Sequence, residues 1–94
     1  MNEYELNGLK VLVEYEKEME YLAKKIDLYN ERLKNAKTRE REIFYKVEVK
    51  DAHEVLEKTR VRINDCFRFY CEVFGKRPMD VSNTLDEMLE AEKE

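Results

Sequence analysis

Apolar residues recur at strictly alternating intervals of three and four along two stretches of the chain. The first stripe is Leu12, Tyr15, Met19, Leu22, Ile26, Tyr29, Leu33 and Ala36. The second is Val49, Ala52, Leu56, Thr59, Ile63, Cys66, Tyr70 and Val73. Each pattern keeps its side chains on one narrow edge of a helix for more than three heptads, so both stretches are predicted as helices. The stripes are out of phase. Steps of seven from Leu33 reach Glu40 and Val47, whereas the second stripe uses Val49, so the helix must break between Ala36 and Val49. An unbroken rod from residue 9 to 74 would be ~100 Å long at ~1.5 Å per residue, with most of its apolar edge unpartnered. A hairpin hides the same edges within one chain.

Two segments compete for the turn. Lys34 to Glu42 reads KNAKTRERE, polar on every face, with Asn35 placed to end one helix and Thr38 to cap the next. Lys46 to Asp51 is the rival, with Asp51 and Glu54 as a capping pair. The first is preferred because a hairpin tip is solvated all round and the arms come out similar in length. It places Tyr29 near Val47, Met19 near Leu56 and Leu12 near Ile63. Phe74 is followed by Gly75, the expected left-handed stop, and Pro78 is expected to prevent the helix from resuming. A short third helix, capped by Asp80 or Ser82, then carries Leu85, Met88 and Leu89 on one side. Its end, EAEKE, is expected to fray. The expected fold is therefore all-α, a coiled-coil-like antiparallel hairpin with a third C-terminal helix. It forms a single domain over 1–94, with helices over about 3–35, 39–74 and 82–92 and a loop over 75–81.

Composition agrees with helix. Among 94 residues there are two glycines and one proline, with neither type between Gly8 and Gly75, so the turns that a β-rich domain needs are missing. No apolar run is long enough to span a bilayer. The N-terminus, MNEYELNGLK, has acids where a secretory signal needs lysines and an apolar stretch, which predicts a cytoplasmic protein with no membrane partner. Cys66 and Cys71 lie about 140° apart around a helix and cannot bridge each other; they are read as buried, reduced thiols, with an intermolecular bridge as the alternative.

Charge is uneven. Residues 1–23 carry a net of −4, residues 24–50 hold nine bases against five acids for a net of +4, and residues 51–94 return to −4. In a hairpin this makes a basic tip of Arg32, Lys34, Lys37, Arg39 and Arg41. Pairing of these arginines with glutamates at i and i+4 on a solvated tip is the plain expectation. Docking on an acidic protein surface comes next, and phosphate contact on DNA or RNA, helped by Lys58, Arg60 and Arg62, after it. Against the last stand the acidic net charge and the absence of aromatics recognisably interleaved with these bases.

The apolar residues also exceed what one seam requires. Cys66, Phe67, Phe69, Tyr70, Cys71, Val73 and Phe74 cover more than half of the second helix near its end. The third helix is expected to cover one side of it, and Leu9, Val13 and Tyr4 another. A second copy of the chain would cover what remains, which predicts a homodimer of the four-helix-bundle type.

Candidate chemistry is sparse. His53 is the sole histidine and is read as solvent-facing, so no metal site is expected. No phosphate-binding glycine loop, C-x-x-C pair or nucleophile elbow occurs. Glu14, Glu16, Glu18 and Glu20 read as a solvated helix face. No catalytic residue and no cofactor is therefore expected. The function that fits is a non-catalytic protein–protein interaction module. Adaptors, assembly factors and small inhibitors that occlude a larger partner, phage-encoded ones included, share this profile. Phe69 and the basic tip are its candidate contact residues. A nucleic-acid binder using the tip is the alternative, and a small helical dimeric enzyme, which would need a buried cluster of Arg and Glu, is the second alternative.

Overall fold

A computed structural model describes residues 1–93. The fold is all-α. Two long antiparallel helices, α1 (Glu3–Lys34) and α2 (Arg39–Phe74), form a hairpin, and a shorter helix, α3 (Pro78–Lys93), follows. None of these helices is long and apolar enough to cross a membrane.

Local chemistry sets each boundary. At the start of α1 the Asn2 Oδ1 accepts the Glu5 backbone N–H at 2.8 Å, and Asn2 Nδ2 donates back to Glu5 Oε1 at 3.4 Å. This reciprocal cap satisfies one of the orphan amides of the first turn. At the other end the Asn35 side chain and its backbone N–H both donate to the Glu31 carbonyl, at 3.1 and 3.3 Å. Thr38 then caps α2, its Oγ1 accepting the Arg41 N–H at 3.2 Å. The turn is thus the tight Asn35–Thr38 link, inside the segment preferred from sequence. At the end of α2, Gly75 adopts φ 60° and Lys76 N–H reaches back to the Cys71 carbonyl at 3.0 Å, closing the Schellman arrangement.

Two expectations need correction at α3. The helix begins at Pro78 and not at residue 82, so the link from α2 shrinks to 75–77. Proline at the first helical position lacks only an N–H that would be orphaned there, and its fixed φ suits the helix, so Pro78 starts the element it was expected to block. Arg77 closes the new N-terminus: its carbonyl accepts from Asp80 and Val81, and its Nε donates to Asp80 Oδ2 at 2.9 Å. The polar end does not fray over the described residues. It stays helical to Lys93, and Glu92 pairs with Lys17; Glu94 lies outside the described residues.

The contacts divide into two compact units. One is the two-helix hairpin, Glu18–Arg60. Its core is Leu22, Ile26 and Ala52, with Val49 and Leu56 packed against them, all members of the two stripes. The pairing differs from expectation near the turn. The loop centres on Ala36 and Lys37, so residues about equally distant from it meet. Tyr29 therefore faces the Tyr45 ring at 5.7 Å, and Lys25 bridges to Glu48 at 3.3 Å, while Val47 turns to solvent.

The other unit combines Met1–Lys17 with the chain from Val61 on, so three helices contribute to it. It holds the three most deeply buried side chains, Leu9, Leu12 and Val13, together with Ile63, Tyr70, Val81 and Leu85. Gly8 lets α1 and α2 approach closely here, since a Cβ at that position would lie 2.8 Å from the Tyr70 ring. Tyr70 in turn packs on Phe74 with ring centroids 4.8 Å apart. Leu9 and Val13 cover this end as expected. Tyr4 does not, being largely exposed, and Val73 leaves the stripe for solvent.

Candidate contact surface

The hairpin tip is built from the last turn of α1, the Asn35–Thr38 link and the first two turns of α2. Together they enclose an open recess of about 610 Å³ lined by three bases, Arg32, Lys37 and Arg41, and one acid, Glu31, with Asn35, Ala36, Thr38 and Tyr45. Three of the expected tip bases converge on this recess. Lys34 and Arg39 do not line it, although they stand on the same tip. Phe69 belongs to the three-helix unit, where it is 68% exposed.

The expected pairing of tip arginines with glutamates does not occur. Among the described residues, Arg32, Lys34, Lys37, Arg39 and Arg41 make no salt bridge, whereas Lys17, Lys24, Lys25, Lys46, Arg60, Lys76 and Arg77 all do. Glu42, the nearest acid on α2, is engaged by Lys46 at 2.9 Å, and that ammonium holds its carboxyl below the usual range. Arg39 and Arg41 moreover occupy the positive end of the α2 dipole, where acids are the favoured residues. Positive charge is therefore in excess at this tip, where five bases stand among three acids, Glu31, Glu40 and Glu42, with no salt bridge among the described residues to any of the five.

Aromatic rings stand among these bases, although no recognisable nucleic-acid motif in the sequence places them there. The Arg32 guanidinium and the Lys25 ammonium each lie 5.4 Å from the Tyr29 ring centroid, within cation–π range. Tyr45 lines the recess, with Phe44 packed edge-on to it at 5.4 Å. Phe44 itself is 54% exposed, and Leu28, one turn before Arg32 on α1, is 48% exposed. Helical spacing already links them to the tip bases, Leu28 and Tyr29 to Arg32 and Phe44 and Tyr45 to Arg41, each three or four residues away. The second stripe, continued back four residues from Val49, also lands on Tyr45.

A second concavity, of about 310 Å³, lies in the three-helix unit between Glu16, Asn64, Phe67, Asp86 and Leu89. Burial, and then the neighbouring Asp86 carboxylate, pushes the Glu16 carboxyl above its usual range. Lys17 is held above its usual value mainly by its hydrogen bond to Glu92. Cys66 and Cys71 are free, and half-buried where full burial was expected. No group of acids, cysteines and histidine among the described residues gathers as a metal site.

No protein-family model matches the chain, and no curated protein or solved structure matches it either.

Proposed function

We propose that this chain is a non-catalytic docking module that binds and occludes a protein partner, in the manner of an adaptor, assembly factor or small inhibitor. The observation that carries the reading is the balance of apolar side chains. Ten hydrophobic residues are buried, whereas fourteen large ones, Phe44 and Phe69 among them, remain exposed. Scattered exposure is ordinary for a small protein, but Ile43, Phe44 and Val47 stand exposed at helical spacing on α2, the kind of surface that another macromolecule covers. Self-association belongs to the same reading, and sedimentation at micromolar concentration is expected to give twice the mass of one chain.

The test is site-specific crosslinking in the native host, with a photoreactive phenylalanine analogue at position 44 or 69. Discrete protein adducts at either position support the reading. Their absence at both overturns it. A second reading, contact with nucleic acid, draws on the aromatic rings among unpaired bases at the tip. Adducts that collapse on nuclease treatment would favour it over the first.

A further inference from the structure

The tip recess and the apolar side chains beside it have a chemistry that narrows the partner. Arg32, Lys37 and Arg41 outnumber the one carboxylate that lines the recess with them, Glu31, which bridges to none of the three, and two of these bases are guanidiniums suited to fork-like pairing with planar oxyanions. Leu28 precedes Arg32 by four residues and Phe44 follows Arg41 by three, so each shares a helix face with a recess base. Both remain about half exposed. The result is a basic recess with an apolar shelf next to it.

From this juxtaposition we infer that the tip docks an acidic, amphipathic segment of a protein partner, its carboxylates entering the recess and its apolar edge lying on Leu28 and Phe44. The inference rests on the docking role proposed above and names the partner class for that surface.

Charge placement favours a short acidic segment over a nucleic-acid strand. The basic region is local: residues 24–50 are net +4, and the sequence on either side is net −4. A phosphate strand gains affinity by neutralising many bases in a row, and this tip offers five interspersed with Glu31, Glu40 and Glu42 before α2 presents Glu48, Asp51, Glu54 and Glu57. A segment of one or two helical turns needs only the local patch. It also makes use of the apolar shelf, which a sugar–phosphate backbone does not.

The experiment is fluorescence anisotropy with the full chain and three labelled probes. They are a 16-residue helical peptide with Glu and Leu at amphipathic spacing, the same peptide with every Glu changed to Gln, and a 20-nucleotide oligothymidine. The Glu peptide is expected to bind at least about tenfold tighter than the Gln peptide and than the oligonucleotide. Arg32→Glu with Arg41→Glu should weaken it by about tenfold or more, and Phe44→Ser by about fivefold. Val61→Ser, a change at an exposed apolar residue of the other unit, should leave it unchanged. Circular dichroism melting of each variant separates lost binding from lost fold. Equal binding of the Glu and Gln peptides, indifference to the paired arginine reversal, or tighter binding of the oligonucleotide would each overturn the inference. Protein adducts confined to position 69 would also overturn it while leaving the broader docking role standing.

Discussion

The three-helix unit buries seven hydrophobic side chains and exposes eight large ones; the two-helix hairpin buries three and exposes six. The difference follows from geometry. A third helix lets α1 and α2 each bury a second strip of surface, so Leu9, Leu12 and Val13 are almost fully enclosed. Two helices alone offer each other one seam, and everything off that seam meets water. Charge separates them less. In the three-helix unit Lys17, Lys76 and Arg77 find carboxylates while Lys10, Arg62 and Arg68 make no salt bridge among the described residues; in the hairpin five of the unbridged bases stand at the tip. One unit is built to hold the fold. The other leaves a larger share of its apolar side chains in water.

The largest test of this contrast is truncation in each core. Leu12→Ala should cost about 3–5 kcal/mol, because a closed site cannot collapse around the lost atoms. Leu22→Ala, in the thinner seam, should cost about 2–3 kcal/mol. Urea denaturation of both variants measures this, and a costlier Leu22 change would reverse the assignment of stability. Next comes Gly8→Ala. The added methyl would strike the buried Tyr70 ring, costing about 1–3 kcal/mol, with up to ~1 kcal/mol regained from the better helix former. A net loss of Tm is expected, and a gain would show that the α1–α2 contact here has slack.

Reversal at the tip should act in the opposite direction. Arg39→Glu with Arg41→Glu replaces bases by acids at the positive end of α2, and a gain of a few tenths of a kcal/mol per site is expected. Thermal melts at low salt would detect it. A loss of stability would mean that these bases serve the fold and not a partner.

The smallest effect is expected at Glu16. Its folded-state pKa lies above the ordinary value, so the unfolded chain holds its proton less tightly than the folded one. Stability from this group is therefore greatest in acid and declines as pH rises from the ordinary carboxylate range through the raised value. Glu16→Gln should lift Tm slightly at pH 7, with the difference closing near pH 4, and a pH series of melts checks the sign.

Much of the scaffold was legible because it is written as periodicity. The alternating stripes specify which edges meet, and seven of the eight positions in the second stripe are at least half hidden; Val73 is the exception. The turn was legible for a related reason, since KNAKTRERE has no side that wants burial. Pro78 was misread because the same ring that breaks a helix interior suits a helix start. The recess was the least visible feature. Arg32, Lys37, Arg41 and Tyr45 come from two helices and a link, so no single period relates them, and only the loop length brings them together.

The bare bases at the tip also have a kinetic meaning. Coulomb attraction reaches ~8 Å at physiological ionic strength, farther than any van der Waals contact, so the acidic partner proposed above would be drawn in before the surfaces touch. Arrival would then be governed by salt, and residence by how well Leu28 and Phe44 are desolvated. The same small surface would set speed with one kind of atom and lifetime with another.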